Sequence, residues 1–180
     1  MLVAKQVADM ITGGRAVLGV FMVWLGVTRG PEALPLVCWL MILGWSGDGL
    51  DGPIARRSRL QYHSWLGDHD LAIDIEVSFG LLLYLVAAGY VDLRIASVYL
   101  IFWALLFWRW GLPRSLGMLI QAPIYGWFLW VGVRDAPQAG WWVIGWIAAV
   151  IILTWPRAVR EVVPGFLRGM GDVWQQYRRE

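Results

Sequence analysis

Two pairs of aspartates stand at helical spacing in a chain otherwise short of charge: Asp48 with Asp51, and Asp70 with Asp74. At roughly 100° per residue, Asp48, Asp51, Gly52 and Ala55 fall within an arc of about 100°, so two carboxylates and two small residues share one helix face. Asp70 and Asp74, at i and i+4, share a face of the following segment. Four carboxylates brought together would repel strongly at low effective dielectric. A hard divalent cation, or two, removes that conflict, because Mg²⁺ takes oxygen ligands and keeps positions open for phosphate oxygens. The chemistry expected of such a set is the handling of a phosphate by bound metal.

The elements that must position these residues are membrane helices. Of 180 residues, 59% are hydrophobic and 16% charged, against roughly 45–50% and 25% in soluble domains. Mean hydropathy is +0.58, and the 14 Trp favour the edges of a bilayer. A net charge of +2 is too small to point to nucleic acid. The single cysteine, Cys38, lies in an apolar run, so no internal disulfide can form and a packed thiol is expected.

Six apolar segments run from about Val7 to Val27, Leu34 to Ala55, Leu66 to Gly89, Leu93 to Trp110, Leu116 to Val133 and Gln138 to Trp155. At about 1.5 Å per residue each reaches roughly 25 to 36 Å, enough to cross the hydrocarbon. The fold class expected is an all-α integral membrane protein of six transmembrane helices, residues 1–155, followed by a short amphipathic tail, 156–180. In that tail Phe166, Met170, Val173, Trp174 and Tyr177 recur at helical spacing. With six spans both termini share a face, which collects Lys5, Arg56, Arg57, Arg59, Arg109, Arg114, Arg157, Arg160, Arg168, Arg178 and Arg179. The other face holds Arg29, Arg94 and Arg134, so the positive-inside rule makes the termini cytoplasmic, in the inner membrane of the cell.

The first three segments each hold about a dozen apolar residues in the outer half, too few to span alone. Their spans must therefore include Asp48, Asp51, Asp70, Asp74 and Glu76, and ionisable groups at membrane depth mark a functional cavity. The second and third segments are antiparallel neighbours, so their acidic faces lie at one depth, near the cytoplasmic boundary.

Written out, the stretch is Asp48-Gly-Leu-Asp51-Gly52-Pro-Ile-Ala55-Arg56, a loop, then Gly67-Asp-His-Asp70-Leu-Ala-Ile-Asp74. It resembles the CDP-alcohol phosphotransferase family, whose motif is D-x2-D-G-x2-A-R, eight residues, G-x3-D-x3-D. The first half and the closing D-x3-D match at every fixed position. Gly67 precedes Asp70 by three residues rather than four, and the stretch from Arg56 to Asp70 is one residue longer than in the pattern. Ile11, Thr12 and Arg15 also look like the family's polar N-terminal helix.

The resemblance implies transfer of a phosphatidyl-type group from a CDP-alcohol, CDP-diacylglycerol above all, to a small polar alcohol, with release of CMP, in phospholipid synthesis. It implies two Mg²⁺ or Mn²⁺ ions held by Asp48, Asp51, Asp70 and Asp74, with Asp74 as the catalytic base. Gly52, Ala55, Arg56, Gly67 and Thr12 would meet the nucleotide-bearing donor, Arg56 at a phosphate. The partners expected are donor, acceptor and membrane lipid, with a homodimer left open. Short loops suit a compact synthase of the phosphatidylglycerophosphate, phosphatidylserine or phosphatidylinositol-phosphate kind. Glu76 stands about 200° round the helix from Asp74 and reads as interhelical, and Asp68 is the substitute if the longer loop shifts the register. His63 and His69 read as rim residues, Arg57 and Arg59 as topology charges. Arg109 and Arg114 suit either an acceptor phosphate or lipid headgroups. A small cation transporter would also hold intramembrane aspartates, without needing Gly52, Ala55 and Arg56 at fixed offsets. A catalytically silent relative would keep the motif and lack turnover.

Overall fold

A computed structural model describes residues 4–56, 70–111, 113–157, 160, 164–169 and 171, with side chains described over 6–49, 71–111, 113–155, 160, 164–169 and 171. Of the described residues 94% are helical and none lies in a strand. The long helices are α1 (Ala4–Arg29), α2 (Leu34–Arg56), α3 (Asp70–Ala87), α4 (Leu93–Trp110), α5 (Arg114–Asp135) and α6 (Pro137–Arg157). They follow the six apolar segments, and the chain's turn signals end them. Gly30 takes φ +55° and Pro31 opens a 3-10 turn over Gly30–Ala33. Pro35 sits in the first turn of α2, where its missing N–H has no partner to lose. Asp92 caps α4 by accepting from the Arg94 amide at 2.7 Å.

Four helical stretches are long and apolar enough to cross a membrane: 6–49, Leu93–Trp110, Arg114–Asp135 and Pro137–Trp155. The first contains both α1 and α2, which pack on each other about the 3-10 turn. α3, whose described side chains run over 71–87 and include Asp74 and Glu76, is not in that set. The outer surface is apolar: Val17, Val27, Ile152 and Leu153 are all exposed. Such a surface is unfavourable against water and at home against hydrocarbon. By the length and apolarity of its helices, this is a membrane-associated protein.

The core is built around α1, which packs most extensively on α3 and next on α2. Met22, Leu25, Val37, Met41, Leu81, Tyr84, Leu85, Phe128 and Val131 bring α1, α2, α3 and α5 into one buried cluster. α5 and α6 form the other close pair, and α4 is peripheral, burying only Ala96 and Trp103 among its described residues. Pro123, inside α5, has no N–H to return to the preceding turn. One turn before it the Tyr99 hydroxyl of α4 donates to the Ile120 carbonyl, tying the outer helix to α5.

Beyond α6, residues 164–169 are helical, with Phe166 half-buried and Leu167 and Arg168 exposed. That turn lies against the start of α5, since a Cβ on Gly169 would stand 3.0 Å from the Ser115 hydroxyl. Met170, Val173, Trp174 and Tyr177, the other apolar positions expected of an amphipathic tail, lie outside the described residues.

Candidate active site

Large apolar residues fill the half of the bundle near the 3-10 turn, while the opposite half, where α1 begins, α2 ends and α3 begins, carries the charge. Arg15, on α1, is the residue around which that end is organised. Its guanidinium pairs with Asp48 of α2, Nη1 to Oδ1 at 3.1 Å, and donates from Nη2 to Oδ1 of Asp74 on α3. Three helices are thereby joined at one point by charge-assisted hydrogen bonds. Arg15 is only 6% exposed, whereas the side chains of Asp48 and Asp74 are 45% and 26% exposed. The guanidinium is thus the floor of the cluster, and the carboxylates are its open rim.

The local sequence makes this arrangement possible. A Cβ on Gly47 would lie 3.0 Å from Ile11 Cγ2 and 3.5 Å from Arg15 Cδ, so a bare glycine lets α2 close on α1 where the arginine stem crosses. A guanidinium at membrane depth is costly unless paired, and two carboxylates from separate helices meet that need. Removing Asp48 or Asp74 would leave the buried guanidinium with one acid fewer to balance it.

Around the cluster the polar layer continues into α5. The Tyr125 hydroxyl donates to Gln121 Oε1 at 3.0 Å, and Gln121 Nε2 donates to the Gly117 carbonyl at 2.9 Å. The Tyr125 ring packs edge-on against Trp45 of α2, with centroids 5.2 Å apart. The fifth helix thus carries a hydrogen-bonded tyrosine and glutamine, the tyrosine packed on α2. Thr12, one turn before Arg15, is buried, and its hydroxyl donates to the Ala8 carbonyl of its own helix at 3.1 Å.

Glu76 takes a different place. A Cβ on Gly19 would lie 2.6 Å from Glu76 Oε1, so this carboxyl fills the space that Gly19 leaves in the crossing of α1 and α3. Among the described residues its Oε2 is buried without a hydrogen-bond partner. The interhelical position read from its angle to Asp74 is where the side chain lies. A groove of about 670 Å³ beside it is lined by Val20, Val23, Trp24, Ile75, Phe79 and Leu83.

Of the acidic set, Asp48 and Asp74 are brought together. Asp51, Gly52, Ala55 and Arg56 lie on the helical backbone of α2 and Asp70 is the first residue of α3, but the side chains of these five fall outside the described residues. Gly67, Asp68, His63, His69, Arg57 and Arg59 also lie outside the described residues. Among the described residues no group of three or more His, Cys, Asp or Glu stands ready to hold a metal ion. What the described residues show there is two carboxylates, from α2 and α3, paired with the Arg15 guanidinium.

The role of Arg15 is what the motif and helix angles do not reveal. Its sequence signals are its likeness, with Ile11 and Thr12, to the family's polar N-terminal helix and its place before the apolar run 16–27, where a charge at membrane depth marks function by default. Tyr125 and Gln121 give less warning, being two polar residues four apart in an apolar span. No family model, no curated protein and no solved structure matches this chain.

Proposed function

We propose that this chain is a six-span membrane enzyme that transfers a phosphatidyl-type group from a CDP-alcohol, CDP-diacylglycerol above all, to a small polar alcohol with release of CMP. The observation that carries the reading is the convergence of Asp48 and Asp74, from opposite halves of the D-x2-D-G-x2-A-R and D-x3-D pattern, on one charge in the polar end of the bundle. Helices α2 and α3 both pack on α1, and Asp48 of one and Asp74 of the other pair with its Arg15. Six long helices, with both ends of the motif at one face, support the six-span arrangement and a cytoplasmic site by the distribution of Lys and Arg.

Asp48, Asp51, Asp70 and Asp74 would hold Mg²⁺ or Mn²⁺, whose part is to neutralise the diphosphate and keep it in line. Asp74 accepts the proton of the attacking hydroxyl. The new bond joins the alcohol oxygen to the β-phosphorus, the bond from that phosphorus to the bridging oxygen breaks, and CMP leaves with that bond's electron pair. Gly52 and Ala55 leave room on α2 for the nucleotide, and Arg56 meets a donor phosphate. Tyr125 and Gln121 close the side toward α5 and limit the water that could take the acceptor's place.

The test is a radiolabelled CDP-diacylglycerol assay on the purified protein in lipid, run against glycerol phosphate, serine, inositol phosphate and related alcohols. Acceptor-dependent release of CMP is expected. No release with any alcohol, from folded protein supplied with Mg²⁺ or Mn²⁺, would overturn the proposal.

A further inference from the structure

We propose that Arg15 is the chain's own cation at the Asp48–Asp74 pair, competing with a divalent ion for those carboxylates and so setting the cation affinity of the site. This rests on the metal-dependent reading above and goes beyond it, since that reading assigns Arg15 no part.

Three observations carry the argument. The guanidinium contacts one oxygen of each carboxylate, Oδ1 of Asp48 and Oδ1 of Asp74, and so already supplies what a bridging cation would supply. It is itself only 6% exposed, whereas the Asp48 and Asp74 side chains are 45% and 26% exposed and can be reached by an ion. It is also held in place: Gly47 lies against its stem, and α1 is clamped to α3 at Gly19 and Gly80. A fixed positive charge in contact with two carboxylates stabilises them as a pair and lowers their affinity for any second cation. Arg15 thus keeps α1, α2 and α3 joined when no divalent ion is bound. It gives up part of that bonding when one arrives. Binding at the pair becomes weak and reversible rather than structural.

A merely structural arginine predicts something else. Its loss would loosen the three helices and scatter the carboxylates, so that divalent affinity would fall together with stability.

The experiment measures Mn²⁺ binding by electron paramagnetic resonance, and thermal unfolding with and without Mn²⁺, on purified wild type, Arg15→Gln and Arg15→Lys. For Arg15→Gln, Mn²⁺ should bind about tenfold more tightly or better, within the range of ordinary antagonistic coupling. The melting temperature should fall in the absence of Mn²⁺ and recover most of the loss when Mn²⁺ is added. Arg15→Lys, which keeps a charge but contacts the pair less completely, should fall between, and it stands in for the test if the glutamine variant does not fold. Unchanged or weaker Mn²⁺ binding in the folded variants, with wild type binding normally, would overturn the competition and leave the metal site intact. Absence of Mn²⁺ binding in every protein, wild type included, would overturn the metal site itself and the competition with it.

Discussion

Gly80 of α3 lies so close to Gly19 of α1 that a Cβ placed on Gly80 would stand 2.5 Å from the Gly19 carbonyl oxygen. The obstacle is backbone, which no side-chain rotation can relieve. Small residues at a helix crossing let two backbones approach where apolar burial gives no drive for association. This contact lies on the same helix pair as Arg15 and Asp74. Gly80→Ala should therefore push α1 from α3 and strain the ion pair as well as the packing, at about 1 to 3 kcal/mol. Thermal unfolding in detergent should show a clear drop, whereas Gly14→Ala, where a Cβ meets nothing within 4 Å, should be neutral or slightly stabilising. Equal behaviour of the two variants would contradict the crossing.

Glu76 is a half-buried acid whose Oε2 is enclosed and meets no hydrogen-bond partner among the described residues. Its amide analogue has nearly the same shape and no charge to bury. Glu76→Gln should keep the melting temperature or raise it, and CMP release should stay within about threefold of wild type. A loss as deep as that of an Asp74 variant would move Glu76 into the site.

The longer loop before α3 leaves two registers for the third aspartate. The face shared by Asp70 and Asp74 makes Asp70→Asn severe, a loss of several orders of magnitude in rate, and Asp68→Asn mild. Steady-state rates of CMP release distinguish the two, and the reverse order would place the extra residue after Gly67.

Arg56 ends α2 at the edge of the acidic face, about 80° from Asp48 on the helical wheel. A lysine there would keep the charge and lose the two-pronged grip on phosphate. Arg56→Lys should lower activity by about 10- to 100-fold, in line with roughly 1.5 to 3 kcal/mol for a charge-assisted hydrogen bond. Arg57→Lys, a change at a topology charge, should be nearly silent. Equal tolerance of both in the same assay would remove Arg56 from the site.

The helices were legible because the chain marks their ends. Gly30-Pro31, Asp92, Gly111 and Pro113 interrupt apolar runs, and α4 begins and ends where its segment does, at Leu93 and Trp110. The shared face of Asp48 and Asp51 also follows from helical geometry alone. The number of segments able to cross a membrane was less legible: among the described residues four stretches are long and apolar enough, against six apolar segments in the sequence. Least legible was the counter-charge. Repulsion among the aspartates calls for a cation, and the sequence leaves open whether metal or arginine provides it. Only the rotation of α1 against α2 and α3 brings Arg15 beneath Asp48 and Asp74. That rotation depends on Gly19, Gly47 and Gly80, whose contacts are between helices rather than along one.

The most direct measurement of the central claim is CMP release from CDP-diacylglycerol by wild type and Asp74→Asn, each assayed after exhaustive chelation and again after Mg²⁺ or Mn²⁺ is restored. The account predicts that chelated wild type is inactive, that either ion restores it, and that Asp74→Asn remains several orders of magnitude slower in every condition although it folds. Turnover that survives chelation, or an Asp74→Asn protein that works as well as wild type, would contradict it.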